Sequence, residues 1–300
     1  MTENIENAFE HRVSGRLPRG EFWIGTGIFA ERKIKDDIMS HVTFCREIEM
    51  DFVSIPVGRF QSSGLGYRTF NPSEIEDAAR SGLFVVTVVS GPFQRIVDEK
   101  GLQLVLADIA RDTDGTRKAI ELETRIVNSL LEACTNHGAN ALMIAEDVAF
   151  DNGTFFSPKM FHEIFQPLYS EFVDNIHRSG QFAVFHSCGN IINVLPDIVT
   201  SKFDGLSCQV ECLDTLFLKR TYGAQITLFT GVSREFLENK ALSAKRKQRL
   251  GQIVTNLSTN GGFVLSSSSG LHSWNMVDNL KKLYYQADKA YNLARSTEAC

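Results

Sequence analysis

Residues 116–147 read TRKAIELETRIVNSLLEACTNHGANALMIAED, and this stretch decides the fold class. Its first part, residues 116–137, is long and amphipathic, which is typical of a helix that buries one face. Gly138 follows at the position where a left-handed helix cap favours glycine. The short apolar run 141–145 comes next. The order helix, glycine, buried strand is typical of the repeating unit of a parallel α/β sheet.

The same alternation continues through the rest of the chain. Short apolar runs predict strands at residues 52–56, 83–89, 141–145, 182–186, 205–208, 226–229 and 263–265. Longer stretches predict helices at residues 116–137, 158–179, 191–202, 214–222, 243–259 and 275–295. Ser157 followed by Pro158 is a typical helix start. Strict alternation of the two kinds of element predicts a parallel sheet covered by helices.

Seven or more such strands in 300 residues favour a closed barrel over an open, doubly wound sheet, which remains the alternative. Parallel barrels typically need roughly 250 residues. An eighth strand could come from residues 21–25 or 102–107. We therefore predict an α/β fold with a single (β/α)8 TIM barrel over residues 21–300, preceded by a short N-terminal extension, residues 1–20.

Composition narrows the function classes. The net charge is −5 and no stretch rich in Lys and Arg dominates, which argues against a nucleic-acid partner. The N-terminus lacks a signal-peptide pattern, and no apolar run reaches the ~18 residues that span a membrane. The six cysteines are scattered and are interpreted as reduced thiols. These features predict a cytoplasmic protein without a membrane partner.

His186 and Cys188 are the sharpest chemical feature of the sequence. They end a predicted strand, and functional groups of parallel barrels collect where strands end. Residues two apart in a strand project from the same face, so the pair could bind one Zn²⁺. The alternative is a hydrogen-bonded histidine that lines the barrel, next to a packed cysteine.

Two adjacent carboxylates, Glu146 and Asp147, follow another predicted strand. Neighbours in a strand face opposite ways, so only one of them is expected to face the barrel mouth, the end where the strands stop. That residue could be a general base, a ligand or a substrate anchor. The alternative is a carboxylate that caps a helix or lies in a loop.

Polar residues also follow the last strands. Gln209 comes directly after residues 205–208, and a serine run with His272 follows residues 263–265. Gln209, Ser268 and His272 are predicted to contact the substrate. The serine run could bind an anion through backbone amides. Because no helix follows it directly, a flexible polar loop is the favoured interpretation of the run.

Four stretches together resemble the ordered landmarks of the uroporphyrinogen decarboxylase superfamily, and the resemblance covers roughly residues 22–285. They are AEDVAFDNGTFFSPKMFHEIFQPLY (145–169), FHSCGNI (185–191), KRTYGAQITLFTGVS (219–233) and NGGFVLSSSSG (260–270). The resemblance implies a (β/α)8 barrel, in agreement with the alternation above. It also implies one of two chemistries. One is decarboxylation of porphyrinogen carboxylates without a cofactor. The other is methyl transfer to or from a corrinoid protein, using zinc held by a His-x-Cys pair and a later cysteine.

The decarboxylase branch matches poorly. Its arginine-rich N-terminal motif has no counterpart in RLPRGEFWIG (16–25), and Ser54 in FVSIP (52–56) replaces its aspartate. A highly anionic porphyrinogen needs several cationic anchors. Four arginines of this chain do not fall in that pattern: Arg16, Arg19, Arg59 and Arg68.

The methyltransferase branch matches better, because His186 and Cys188 align with its His-x-Cys pair. The later cysteine is replaced by the serine run 266–269, and serine is a poor zinc ligand. A substitute third ligand could come from four residues: Glu146, Asp147, Cys208 or His272. A site richer in nitrogen and oxygen ligands is a harder Lewis acid, which suits an ether or amine leaving group.

The sequence therefore predicts a zinc-assisted methyltransferase. It would act on a small methylated substrate and on a corrinoid supplied by a partner protein, with Asp147 and Glu146 as catalytic residues. Two alternatives stay open. One is a metal-free decarboxylase or lyase in which His186 and Asp147 transfer protons. The other is a non-catalytic barrel that binds a corrinoid or tetrapyrrole. A homo-oligomer is a further open expectation.

Overall fold

The computed structural model describes residues 2–59, 66–238, 243–267 and 269–298. Within these ranges, seven parallel strands form one sheet: β1 (Phe52–Val57), β2 (Phe84–Ser90), β3 (Ala141–Ala145), β6 (Phe182–Ser187), β7 (Gly205–Cys208), β8 (Thr227–Val232) and β9 (Phe263–Ser267). Their order across the sheet is the same as their order in the sequence. Each of the seven predicted strands is confirmed. A short antiparallel ribbon, β4 (Ala149–Phe150) and β5 (Gly153–Thr154), follows β3.

Helices connect successive strands and cover the outside of the sheet. The helices are α1 (Glu3–Phe9), α2 (Gly27–Glu31), α3 (Ile38–Glu47), α4 (Ile75–Ala79), α5 (Pro92–Lys100), α6 (Leu102–Arg111), α7 (Thr113–Asn136), α8 (Pro158–Met160), α9 (Gln166–Arg178), α10 (Leu195–Thr200), α11 (Thr215–Tyr222), α12 (Arg234–Glu238), α13 (Ala244–Ser258) and α14 (Trp274–Glu298). A π-helical turn, Phe161–Phe165, joins α8 to α9. The predicted cap is confirmed, because Ser157 Oγ accepts from the Met160 amide at 3.2 Å.

The eighth strand differs from the expectation. Residues 102–107 lie in α6, where Leu102, Val105 and Ile109 recur at the spacing of a helix face. Residues 21–25 form isolated bridges instead of a full strand. Nearby, the Asp51 amide donates to Arg19 O at 2.8 Å, and the Gly20 amide donates to Leu265 O at 3.1 Å. Residues 19–25 therefore lie between β1 and β9, the first and last strands of a curved, TIM-like barrel.

The inside of the barrel is an aromatic and aliphatic core. Phe52, Phe84 and Phe229 project inward from β1, β2 and β8. Helix α1 closes the amino-terminal end, where the Phe9 ring stacks on Phe182 with centroids 4.2 Å apart. The residues predicted as a short N-terminal extension thus contribute to the barrel core and leave the opposite end, the mouth, for chemistry.

Two further predictions from the sequence concern membrane-spanning segments and the cysteines. In the described part of the chain, no helix is both long enough and apolar enough to cross a bilayer. Cys45, Cys134, Cys188, Cys208 and Cys212 are free thiols, whereas Cys300 lies outside the described residues.

Candidate metal centre at the barrel mouth

Three potential metal ligands meet where β3 and β6 end. One donor atom each from Asp147, His186 and Cys188 lies within 4.8 Å of the others. β3 and β6 are hydrogen-bonded neighbours in which Ala145 is in register with His186, so their carboxyl ends meet at the same place. His186 lies in β6 and Cys188 directly follows it, and their side chains lie on the same side, with Nε2 and Sγ 3.8 Å apart, as their spacing predicts.

The spacing of the donors fits a zinc ion. Zn–N and Zn–S bonds of about 2.0 and 2.3 Å at a tetrahedral angle place the two ligand atoms about 3.6 Å apart. His186 Nε2 and Cys188 Sγ are 3.8 Å apart. One nitrogen, one sulfur and one carboxylate form a donor set that zinc accepts, with a fourth position left for a substrate or water.

A neighbouring strand fixes the orientation of His186. Its Nδ1 lies 2.9 Å from Ser207 Oγ on β7, which directs Nε2 toward Cys188. The Trp23 ring packs against the imidazole edge-on, with centroids 5.2 Å apart. Burial lowers the pKa of His186 despite the opposing effect of Asp147, so the imidazole favours the neutral form that binds metals.

Asp147 joins the two strand ends. Its Oδ1 accepts a hydrogen bond from the Cys188 amide at 2.8 Å. Burial raises the pKa of the Cys188 thiol, and the nearby Asp147 carboxylate raises it further. The thiol is therefore protonated in metal-free protein, and a metal would displace that proton on binding.

Gln209 holds the loop after β6. Its Oε1 accepts from the Gly189 amide at 2.8 Å, next to Cys188. Gly189 has φ +81°, and a Cβ there would lie 2.6 Å from the Ala149 carbonyl carbon. The loop therefore requires glycine at position 189. Gln209, which the sequence predicts to contact the substrate, instead accepts a hydrogen bond from the backbone of this loop.

Glu146 faces the other way. Its carboxylate accepts from the Phe93 amide at 3.1 Å, the Gln94 amide at 2.8 Å and the Tyr169 hydroxyl at 3.2 Å. Burial raises the pKa of Glu146 to about 8. The side chain caps the amino-terminal end of α5 outside the barrel. Glu146, expected as a catalytic residue and an alternative third ligand, is therefore not brought to the His186–Cys188 pair, whereas Asp147 is.

The other expected third ligands are also placed apart from the pair. Cys208 is buried with Leu206 in the hydrophobic layer between strands and helices. His272 is not part of the three-residue donor group in the described residues, although it lies at the mouth beside Tyr67. Ser268 lies outside the described residues. Ser267, in the run that replaces the later cysteine, donates through its amide and its hydroxyl to Glu21.

Three residues near the site carried no sequence signal that we used. Trp23 packs on His186, and the Tyr67 ring lies beside Trp23 with centroids 5.5 Å apart. Glu21 is fully buried and anchors the serine run. Trp23 and Glu21 lie in the stretch 16–25, which the sequence analysis treated as a departure from the decarboxylase motif and, over residues 21–25, as a possible eighth strand.

Comparisons with known proteins agree with this architecture. A family model described as uroporphyrinogen decarboxylase (URO-D) matches residues 78–289. Among solved structures, a methyltransferase from Methanosarcina mazei is similar with a TM-score of 0.76 and 17% identity, over 97% of this chain and 98% of that one. A protein from Listeria monocytogenes described as a vitamin-B12 independent methionine synthase has a TM-score of 0.54 and 14% identity, over 93% and 96% of the two chains.

An L-ribulose 3-epimerase is similar with a TM-score of 0.56 and 11% identity, over 95% of this chain and 97% of that one. At these identities the structural likeness shows the fold alone. A comparison with curated protein sequences finds no match. The family model spans more than half of the chain and includes Asp147, His186 and Cys188. The chain therefore belongs to the uroporphyrinogen decarboxylase family.

Proposed function

We propose that this protein is a methyltransferase that moves a methyl group between a small methylated substrate and the corrinoid of a partner protein, assisted by zinc. The observation that carries the proposal is the group of Asp147, His186 and Cys188 at the barrel mouth. When bound there, zinc would act as a Lewis acid on the heteroatom that carries the methyl group.

The charges of the three ligands suit this role. A Cys188 thiolate and the Asp147 carboxylate neutralise a divalent ion, while neutral His186 adds none. Asp147 takes the place of the later cysteine that the methyltransferase pattern expects, because the serine run offers only hydroxyls. The resulting N, O and S donor set is harder than a two-thiolate site and favours oxygen or nitrogen in the leaving group.

The arginines argue against a porphyrinogen decarboxylase. Arg19 is 1% exposed and pairs with Glu49 and Asp288, each at 2.6 Å. Arg16 pairs with Asp51. Both guanidinium groups are thus engaged with carboxylates of the chain and are not presented to a polyanionic substrate. The decarboxylase aspartate is also replaced by Ser54, which is buried in β1.

The neighbouring structures support the proposal at the level of fold. One of them, which spans nearly the whole chain at a TM-score of 0.76, is named a methyltransferase. That name gives no substrate and no methyl acceptor, so both parts of the proposal rest on the donor set at the mouth.

The metal content of untagged protein tests the proposal first. We expect about one zinc per chain by mass spectrometry, lost in Asp147→Ala, His186→Ala and Cys188→Ala. His162→Ala is a matched control, because His162 is exposed and pairs with Asp197 on the surface. Loss of zinc in these three variants, with zinc retained in His162→Ala, would support the metal site.

Methyl transfer tests the second part. Wild-type protein is incubated with methyl donors and reduced cobalamin, and methylcobalamin is followed by its visible absorbance. Zinc-dependent formation supports the proposal. Protein that takes up no zinc and releases CO₂ from a carboxylate substrate would instead be a lyase. A changed corrinoid spectrum without turnover on any donor would indicate a binding protein.

A further inference from the structure

Trp23 connects the candidate metal ligand His186 to the loop that follows β9. Its indole ring packs against the His186 imidazole, with centroids 5.2 Å apart and the two ring planes at 63°. Aromatic pairs favour such edge-to-face contacts at centroid distances of about 4.5–7 Å. The Trp23 carbonyl oxygen accepts a hydrogen bond from the Leu271 amide at 2.7 Å. One residue thus contacts the metal site through its side chain and the loop after β9 through its backbone.

Gly270 leaves no free space between this loop and Trp23. Its φ is +68°, a conformation that favours glycine. A Cβ at position 270 would lie 2.4 Å from Trp23 Cβ and 2.5 Å from Trp23 O. These distances are shorter than any ordinary contact, so a side chain at position 270 would displace Trp23 or the loop. The position of the indole ring therefore depends on glycine at position 270.

Ser267 and Leu271 hold the loop on either side of Gly270. Ser267, the last residue of β9, accepts a hydrogen bond through Oγ from the Gly270 amide at 3.2 Å and donates to the buried Glu21 carboxylate. Leu271 forms an isolated parallel bridge with Ile24. The loop is thus attached both to the end of β9 and to the segment that closes the barrel.

His186 needs two constraints to present Nε2 to a metal. The hydrogen bond between its Nδ1 and Ser207 Oγ, 2.9 Å long, limits rotation of the ring about the Cβ–Cγ bond. Rotation about the Cα–Cβ bond moves the whole ring sideways, and the contact with Trp23 limits that movement. Metal–ligand distances tolerate deviations of only about 0.2 Å. A displaced Trp23 would therefore impair the binding of one ion by His186 and Cys188 together.

We propose that Trp23 and Gly270 are positioning residues for the metal ligand His186, and that the loop after β9 acts on the metal site through them without supplying a ligand. This inference rests on the proposed metal-assisted function. In this arrangement Asp147, His186 and Cys188 bind the ion, while the loop determines how closely the imidazole approaches it.

Zinc affinity, measured by competition with a chromophoric chelator, tests the role of Gly270. We expect Gly270→Ala to lower the affinity about tenfold, which is typical for the loss of an outer contact of a metal ligand. Gly82→Ala is the matched control, because Gly82 has φ +76° and nothing lies within 4 Å of an added Cβ. The two variants share the backbone strain and differ in the collision with Trp23. Equal zinc affinities of the two variants would overturn the inference.

Tryptophan variants test the role of Trp23 without straining the loop, and they also decide the matter if Gly270→Ala does not fold. We expect Trp23→Leu to lower zinc affinity about tenfold and Trp23→Phe, which keeps an aromatic ring, to recover most of it. Trp274→Leu is the matched control, because Trp274 packs against Phe44 and donates to Ile28 O. The visible absorbance of bound Co²⁺ reports coordination geometry and should change in Trp23→Leu alone. Wild-type zinc affinity and cobalt spectrum in Trp23→Leu would overturn the inference.

A measurement on metal-free protein separates this inference from the proposed function. NMR of histidine-labelled protein gives imidazole C–H signals, and those of His186 are identified by their absence in His186→Gln. The ring current of Trp23 displaces these signals, so they should move in Trp23→Leu and Gly270→Ala and stay in place in Gly82→Ala. Unmoved His186 signals in Gly270→Ala would overturn the inference. If wild-type protein binds neither zinc nor cobalt, the proposed function fails, and the NMR signals still decide whether the loop positions His186.

Discussion

Glu146 and Asp147 are neighbours in the chain, yet their carboxylates lie on opposite sides of the end of β3. Asp147 Oδ1 accepts from the Cys188 amide at 2.8 Å, inside the mouth. Glu146 Oε2 accepts from the Gln94 amide at 2.8 Å, outside the barrel. The alternation of an extended strand thus separates the carboxylate that joins the candidate metal ligands from the carboxylate that caps α5.

Asp147→Asn should weaken zinc binding while leaving the fold intact. Asparagine keeps the Oδ1 acceptor for the Cys188 amide but loses the negative charge that binds zinc. We expect at least about a tenfold loss of zinc affinity, measured by competition with a chromophoric chelator, and a change in unfolding free energy below about 1 kcal/mol. Retention of wild-type affinity would exclude Asp147 as the third ligand.

Glu146→Gln should show the reverse behaviour. Three donors, the Phe93 and Gln94 amides and the Tyr169 hydroxyl, point at the Glu146 carboxylate. A glutamine NH₂ placed against any of them leaves a buried donor without an acceptor, which costs about 1–3 kcal/mol. Urea unfolding should detect this loss, and zinc affinity should stay within about twofold of wild type. A zinc affinity that falls with unchanged stability would assign Glu146 to the site.

Ser207→Ala should weaken the metal site through His186. Ser207 Oγ lies 2.9 Å from His186 Nδ1. Removing the hydrogen-bond partner of a metal-binding histidine typically lowers metal affinity about 10–100-fold, and we expect a loss of zinc affinity of about that size for Ser207→Ala. Ser201→Ala is the matched control, because Ser201 is equally buried but donates to the Asp197 and Gln166 carbonyls and not to a candidate metal ligand. Equal zinc affinities of the two variants would mean that packing against Trp23 is sufficient to orient the imidazole.

The sequence was sufficient to predict the strands and to place His186 and Cys188 side by side, 3.8 Å apart at Nε2 and Sγ. Each strand is a short apolar run between turn residues, and the His-x-Cys spacing fixes a common face whatever surrounds it. The segment that closes the barrel between β1 and β9 was harder to predict, because residues 21–25 pair with their neighbours only at isolated positions. Residues 102–107 are as apolar as a strand, and only the helical spacing of Leu102, Val105 and Ile109 distinguishes them.

The remaining site residues depend on tertiary contacts that no local pattern carries. Glu146 and Asp147 face opposite sides of β3, and the register of the strand decides which of the two faces inward. A register shift of one residue would exchange their positions. Tyr67 reaches the mouth only because residues 66–70 lie alongside Gly25 and Val57. Glu21 meets Ser267 across a sequence separation of 246 residues. Short-range spacing contains no information about such pairs.

The buried Glu21 carboxylate should make stability fall as the pH rises toward neutrality. Burial raises the pKa of Glu21 to about 7, although Ser267 and Tyr284 donate to it. Between the unfolded pKa of about 4.5 and pH 7, the folded protein holds a proton that the unfolded chain has released. The stability from this group is therefore fully present below pH ~4.5 and is lost through pH ~7, by about 3 kcal/mol in total.

Glu21→Gln isolates this effect, because its amide oxygen still accepts from the Ser267 amide and its NH₂ can donate to the Tyr284 hydroxyl. Urea unfolding at a series of pH values between 5 and 8 should give a flatter stability profile for Glu21→Gln than for wild type. Glu146, whose pKa burial raises to about 8, contributes its own slope to both proteins and cancels in the difference. Parallel profiles would mean that Glu21 stays ionised in the folded protein, so that the Ser267 and Tyr284 hydrogen bonds outweigh burial.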